Sequence, residues 1–173
     1  ALIRYMREHD CLHKLICPQI PNIPEQARQF LESLVERELR SGELAFAGSS
    51  LGGYYATYLA EKYSGTAVLI NPSVRPYQTL EACLGENKFY HSDEYWQFDQ
   101  SHIDQLKTME VEHITEPDRY LVLLQTGDET LDYRQAAEKY RQCRCVIEEG
   151  GDHAFTGFED YIEQILEFSG VDC

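Results

Sequence analysis

The chain has 173 residues, of which 43% are apolar and 26% are charged, and its 30 acidic and 15 basic residues give a net charge of −15. This length and composition are typical of one globular domain, so we predict a single domain over residues 1–173. The negative charge disfavours nucleic acid and anionic lipid as partners. No apolar run is long enough to cross a membrane and no signal peptide is visible, so we predict no membrane insertion.

The first predicted elements precede any recognisable motif. Ala1–Met6 has a helical pattern although the sequence begins without methionine, Lys14–Cys17 is predicted to be a short strand, and Pro24–Arg40 carries an apolar stripe with helical spacing. Because the sequence begins within a predicted helix, we expect the first core strand and an oxyanion loop to be missing upstream.

A nucleophile elbow is predicted next. The apolar strand Leu44–Ala47 leads through Gly48-Ser49-Ser50-Leu51-Gly52, which matches G-x-S-x-G, into a predicted helix over Leu51–Tyr63. Such a turn strains the serine backbone, and we expect Gly48 and Gly52 to relieve the crowding. Ser50 is the candidate nucleophile, and the alternative is a glycine-rich turn that binds an anion or packs closely.

The remaining predicted elements alternate between strand and helix. Strands are predicted at Thr66–Ile70, Arg119–Gln125 and Cys143–Glu148, and helices at Tyr133–Tyr140 and Phe158–Phe168. Apolar strands that alternate with helices favour an α/β fold, with a mostly parallel sheet covered by helices on both faces.

The long irregular stretch between two of these strands is predicted to be a separate feature. Residues 72–118 contain three prolines and scattered acidic and aromatic residues, and they are too many for a simple connection. We predict a cap or lid insertion here, and a plain structural insertion is the alternative.

A serine nucleophile needs a base to accept its proton and an acid to orient the base. In α/β folds with a nucleophile elbow, these residues follow the serine in the order acid, then histidine. His153 comes directly after a predicted strand and two glycines, and it is the candidate base. Asp128 also follows a strand and is the candidate acid, with Glu129 and Asp132 as rivals, and Asp132 is alternatively a helix cap. The other histidines precede the serine or fall in the predicted lid; they are His9, His13, His91, His102 and His113.

The oxyanion donor predicted from the motif is the backbone N–H of Leu51, at the start of the helix. A second donor normally comes from a loop after an early strand, and no motif of that kind precedes Ser50.

The six cysteines match no zinc template, and they are Cys11, Cys17, Cys83, Cys143, Cys145 and Cys173. We interpret them as reduced residues of a cytoplasmic protein that serve mostly as packing groups, and we predict neither a metal nor a cofactor; a metal or a disulfide is the alternative.

Five motifs in order resemble the small bacterial YqiA-type esterases, α/β-hydrolases related to the YcfP proteins. They are Leu15–Pro21 (LICPQIP), the elbow followed by Gly53-Tyr54-Tyr55-Ala56, Leu69–Pro76 (LINPSVRP), Gln125–Glu129 (QTGDE) and Gly151–Phe155 (GDHAF). The resemblance covers essentially the whole chain. It implies an α/β-hydrolase fold and hydrolysis of carboxylic esters or acyl thioesters, with Ser50, Asp128 and His153 at the triad positions. The family normally opens with a strand and a His-Gly-Phe-type loop, which this sequence lacks.

The sequence therefore predicts a serine esterase that acts on a small-molecule ester or thioester through an acyl-enzyme. The alternatives are a catalytically silent binding or interaction protein of the same fold and an acyltransferase. Acyl-chain length, leaving group and oligomeric state are not predicted.

Overall fold

The computed structural model describes residues 1–11, 15–38, 44–88 and 95–173. The strands are Ala45–Ser50 (β1), Thr66–Pro72 (β2), Gly85–Lys88 (β3), Tyr95–Phe98 (β4), Tyr120–Gln125 (β5) and Arg144–Glu148 (β6). The helices are Leu2–Glu8 (α1), Pro24–Glu38 (α2), Leu51–Tyr63 (α3), Pro76–Thr79 (α4), Gln100–Lys107 (α5), Tyr133–Lys139 (α6) and Ile162–Phe168 (α7). Short 3-10 turns lie at Leu80–Cys83, Pro117–Arg119 and Phe158–Tyr161. Within these ranges no helix combines the length and the apolar character that crossing a membrane requires.

The core is a sheet of four parallel strands in the order β1-β2-β5-β6, and β3 and β4 form a separate antiparallel pair. Side chains of β2 and β5 alternate between the two faces of this sheet. Leu69 and Val122 pack with α3 and α6 on one face, whereas Val68 and Leu123 pack with Ile165 of α7 on the other. Helices therefore cover both faces, as the apolar strands predict.

β1 lies at one edge of the described sheet, and alternate residues of this strand are exposed. Its register with β2 shifts between Ser49 and Ser50, where the strand leaves the sheet. The nucleophile candidate therefore lies at the carboxyl end of the strand, where active-site residues of parallel sheets usually collect.

The segment 72–118 begins with the last residue of β2 and contains α4, the β3–β4 pair and α5. It packs on α2 and α3: the Tyr54 hydroxyl donates to the carbonyl of Leu106 at 2.8 Å, and the N–H of Glu25 donates to Gln105 Oε1 at 3.0 Å. Its function as a lid stays a prediction.

Two sequence predictions are changed by the structure. The strand predicted at Lys14–Cys17 is wrong, because residues 15–20 have no regular structure; Lys14 itself lies outside the described residues. Ile16 is 50% exposed, and the next residue but one is Pro18, which lacks the N–H that a strand ladder needs. The closing helix, predicted over Phe158–Phe168, begins as a 3-10 turn and becomes α-helical at Ile162. The helix predicted over Pro24–Arg40 is described as far as Glu38, and its last two predicted residues lie outside the described ranges.

The interpretation of all six cysteines as reduced is also wrong, because Cys11 and Cys173 form a disulfide with their Cα atoms 5.2 Å apart. Met6 of α1 packs with Ile162 and Leu166 of α7, and this contact brings the two ends of the chain together. A separation of 162 residues leaves no local pattern from which the pairing could be read. Disulfides are rare in the cytosol, so the predicted cytoplasmic location depends on a direct test of this bond.

We expect the thiols to react in three stages. Cys17 and Cys83 are exposed and react first in the native protein. Cys143 and Cys145 are partly exposed, and burial raises the pKa of both thiols, that of Cys143 to about 12, so these two react much more slowly until the protein is denatured. Cys11 and Cys173 become reactive thiols only after their disulfide is reduced. Loss of this bond should lower the free energy of unfolding by about 2–4 kcal/mol. Thiol titration and thermal melting with and without reductant measure this; six thiols before reduction would show that the bond is absent.

Candidate active site

The elbow holds Ser50 in a strained conformation, with φ 54° and ψ −123°, directly before the first residue of α3. A Cβ atom at Gly48 would lie 2.2 Å from the carbonyl oxygen of Gly52, and one at Gly53 would lie 2.6 Å from the Cβ of Pro72. At Gly52 a Cβ would meet nothing within 4 Å. The expected crowding is thus confirmed at Gly48 and wrong at Gly52, and the sequence analysis missed Gly53, which lets the helix approach β2 closely.

The structure brings the three predicted site residues together. His153 Nε2 lies 3.0 Å from Ser50 Oγ, and His153 Nδ1 lies 2.9 and 2.8 Å from the two carboxylate oxygens of Asp128. The Asp128 side chain is only 2% exposed, whereas that of His153 is 23% exposed. An imidazole therefore links an alcohol to a buried carboxylate, which is the geometry of general-base activation of a nucleophile.

The two acidic rivals of Asp128 have other partners. Asp132 is the N-cap of α6 and accepts a hydrogen bond from the N–H of Arg134 at 3.0 Å, as its alternative interpretation predicts. Glu129 accepts a hydrogen bond from the backbone N–H of His153 at 3.0 Å. Glu129 therefore holds the backbone of the histidine loop, and neither rival bonds the imidazole.

The remaining histidines lie elsewhere or outside the described residues. His102 is buried in a capping box of α5, where its Nδ1 accepts a hydrogen bond from the N–H of Asp99 at 3.0 Å. His9 stacks on Tyr5 with ring centroids 4.0 Å apart. His113 is exposed. His13 and His91 are outside the described residues.

The loops that carry Asp128 and His153 pack backbone against backbone. The N–H of Gly127 donates to the carbonyl of Gly150 at 2.7 Å, and a Cβ at Gly127 would lie 2.5 Å from the carbonyl oxygen of Gly151. Gly151 has φ +73°, a conformation that favours glycine. These glycines permit the close approach that lets the carboxylate reach the ring.

Two buried amides, which the sequence analysis missed, connect the same loops. Asn71 Oδ1 accepts the N–H of Gln125 at 2.9 Å, and Asn71 Nδ2 donates to the carbonyls of Asp152 and His153 at 3.0 and 3.3 Å. Gln125 Oε1 accepts the N–H of Asp152 at 3.1 Å, and Gln125 Nε2 donates to the carbonyl of Thr156 at 2.7 Å. In the sequence, each of these amides could have been found as a polar residue at the end of an otherwise apolar strand.

Asn71→Asp should lower kcat for an ester about 10²-fold with a smaller change in KM. The aspartate keeps the acceptor for the N–H of Gln125 but loses both donors to the histidine loop, so the ring of His153 shifts. Steady-state kinetics well below the melting temperature measures the effect. A proportional loss of active protein with unchanged kcat per active site would show that Asn71 serves folding alone.

Leu51 is the first residue of α3, where the backbone N–H has no partner within the helix. The amide follows the candidate nucleophile directly in the chain. Its function as an oxyanion donor stays a prediction.

The sequence matches the uncharacterised protein family UPF0227 over residues 1–170. The chain belongs to this family. UPF0227 is the YqiA/YcfP-type family, so the resemblance found in the sequence is confirmed.

Solved structures identify the fold of this UPF0227 chain. A putative hydrolase from Agrobacterium vitis is 18% identical, with a TM-score of 0.63 and coverage of 84% of this chain and 67% of that protein. Est1E from Butyrivibrio proteoclasticus with bound ferulic acid is 16% identical, with a TM-score of 0.65 and coverage of 85% of this chain and 68% of that protein. An alpha-beta serine hydrolase homologue from Coxiella burnetii is 16% identical, with a TM-score of 0.54 and coverage of 87% of this chain and 61% of that protein. The α/β-hydrolase fold is confirmed, and the chain spans about two thirds of the length of these proteins.

Proposed function

We propose that this UPF0227 chain is a serine hydrolase that cleaves carboxylic esters or acyl thioesters through an acyl-enzyme. One observation carries the proposal: the hydroxyl of Ser50, the imidazole of His153 and the carboxylate of Asp128 form a continuous hydrogen-bonded series. The fold shared with hydrolases supports it, although the fold by itself does not determine an activity.

In the acylation step, His153 Nε2 accepts the proton of Ser50 Oγ while that oxygen attacks the acyl carbonyl carbon. Asp128 accepts the hydrogen bond of Nδ1–H, which fixes the tautomer and stabilises the imidazolium. The N–H of Leu51 donates to the oxyanion. Nε2 then returns the proton to the departing alcohol or thiol, and the bond between the acyl carbon and the leaving group breaks.

In the deacylation step, His153 accepts a proton from water, whose oxygen attacks the acyl-enzyme at the same carbonyl carbon. Collapse of the intermediate breaks the bond to Ser50 Oγ, which recovers the proton, and the carboxylic acid leaves. The residues 72–118 would then select the substrate as a lid above the serine.

A fluorophosphonate probe tests the proposal. We expect one covalent adduct, on the peptide that contains Ser50, and no adduct on Ser50→Ala protein, because only a serine with an adjacent base attacks the phosphorus rapidly. Ser49→Ala removes a neighbouring exposed serine and should label like the unchanged protein. Absence of labelling would favour the catalytically silent binding protein. Labelling together with transfer of the acyl group to an added alcohol in preference to water would favour the acyltransferase.

A further inference from the structure

The loop that carries His153 runs from the end of β6 to the 3-10 turn at Phe158–Tyr161, and a carboxylate, that of Glu148, lies at its start. Glu148 is the last residue of β6 and the register partner of Gln125, the last residue of β5. Both residues therefore lie at the carboxyl end of the sheet, beside the histidine loop. The proposed reaction assigns no function to Glu148.

Glu148 accepts two hydrogen bonds, and one of them joins the two ends of the histidine loop. The hydroxyl of Tyr161 donates to Oε1 at 2.6 Å, and Gln125 Nε2 donates to Oε2 at 2.8 Å. Glu148 precedes the loop and Tyr161 follows it, so the bond between them closes the loop at its base. The ring of Tyr161 also packs edge-on against Phe155 within the loop, with ring centroids 5.5 Å apart.

The second bond orients the amide of Gln125, which holds the middle of the loop. Gln125 Nε2 also donates to the carbonyl of Thr156, and Oε1 accepts the N–H of Asp152. Asp152 directly precedes His153 in the chain. An ionised carboxylate only accepts hydrogen bonds, so Glu148 favours the orientation in which Nε2 faces it and Oε1 faces Asp152. The amide is thus oriented from the sheet, by a residue on the neighbouring strand.

The charge of Glu148 strengthens both contacts. The hydrogen bonds from Tyr161 and from Gln125 lower the pKa of Glu148 below its usual value, so the carboxylate is ionised at neutral pH. Hydrogen bonds to an ionised acceptor are stronger than those between neutral groups. A Cβ atom at Gly151 would collide with Gln125 Oε1, so glycine at that position lets the loop lie directly on the oriented amide.

We propose that Glu148 is a positioning residue that holds His153 within hydrogen-bonding distance of Ser50, by closing the histidine loop at its base and by orienting the amide of Gln125. The proposal rests on the proposed serine hydrolase activity and adds a residue on which that site depends. The bonds of Glu148 go to Tyr161 and Gln125 and not to the reacting groups, so its effect passes through the loop. A displacement of about 1 Å in such a base can lower a rate by about 10²-fold.

Glu148→Ala should lower kcat for a short p-nitrophenyl ester about tenfold per active site with little change in KM, because the position of the base affects the chemical step more than substrate binding. Titration with a fluorophosphonate counts the active sites. Glu148→Gln should recover most of the loss, since its amide oxygen accepts from Gln125 Nε2 and its NH₂ donates to the Tyr161 oxygen. Glu149→Ala removes the same charge from the next residue, which is exposed, and should leave kcat unchanged. Equal kcat per active site in Glu148→Ala and Glu149→Ala would overturn the proposal.

Tyr161→Phe tests the same contact with a smaller change. Phenylalanine keeps the ring against Phe155 and loses only the hydrogen bond to Glu148, so kcat per active site should fall about threefold. This variant decides the matter if a melting curve shows that Glu148→Ala does not fold. A kcat per active site equal to that of the unchanged protein would then contradict the proposal.

A proton NMR spectrum separates this proposal from the proposed hydrolysis. The Nδ1–H proton of His153 lies in the hydrogen bond to Asp128, and a proton of this kind resonates far downfield of the backbone amides. Glu148→Ala should shift or broaden this resonance, and Glu149→Ala should leave it unchanged. If the unchanged protein does not hydrolyse esters and the two variants still differ in this way, the hydrolysis is rejected and the positioning of His153 by Glu148 is supported. An identical resonance in the two variants would reject the positioning, whatever the turnover.

Discussion

Ser50→Ala is expected to lower kcat for a short p-nitrophenyl ester by about 10⁴–10⁶-fold. The variant lacks the only oxygen within hydrogen-bonding reach of His153 Nε2 among the described side chains, so no acyl-enzyme forms. Single-turnover and steady-state release of p-nitrophenol measure the loss. The residual rate should show no burst, since a burst reports an accumulating acyl-enzyme.

The fold should tolerate this change, because alanine removes one oxygen at a position whose backbone conformation is set by β1 and α3. A circular dichroism spectrum and a melting curve establish that the variant is folded before its rate is interpreted. Ser49→Ala is the matched control, since Ser49 is exposed on β1 and, among the described residues, it is the hydroxyl of Ser50 and not that of Ser49 that bonds the imidazole. Undiminished turnover by folded Ser50→Ala would remove Ser50 as the nucleophile.

The sequence predicted the central part of the fold because its strands are strongly apolar. β2 and β5 are buried along almost their whole length, and continuous apolar runs such as Tyr120–Leu124 therefore predicted these strands without ambiguity. The elbow was predicted because its motif requires a strand, a sharp turn and a helix in that order. Boundaries were less certain: β2 extends to Pro72, two residues beyond the predicted end.

The features that were missed depend on contacts between distant parts of the chain. The network of Asn71 and Gln125 joins residues that are 54 positions apart, and the disulfide joins Cys11 to Cys173. Neither pairing has a local pattern. The strand predicted before α2 failed for a related reason: an apolar tetrapeptide forms a strand only when a neighbouring strand satisfies its backbone, and the sequence gives no information about that neighbour.

The sequence left Asp128, Glu129 and Asp132 as candidates for the catalytic acid, and the geometry of the site favours Asp128. Asp128→Asn should lower kcat about 10³–10⁴-fold with little change in KM. The amide Oδ1 still accepts the N–H groups of Thr130 and Leu131, each now 2.8 Å from Asp128 Oδ1, so the loop keeps its shape. The amide NH₂ then faces His153 Nδ1, which becomes an acceptor, and the proton moves to Nε2. An imidazole protonated at Nε2 cannot accept the proton of Ser50.

Asp132→Asn is the matched control for this variant. Asparagine caps a helix about as well as aspartate, so the start of α6 should be preserved and kcat should stay within about twofold of the original value. The two variants lose the same charge from the same loop, and only one of them changes the hydrogen bond to the imidazole. Equal rates for the two variants would mean that net negative charge near the site, and not the tautomer of His153, determines the rate. A greater loss in Asp132→Asn would transfer the acid's function to Asp132.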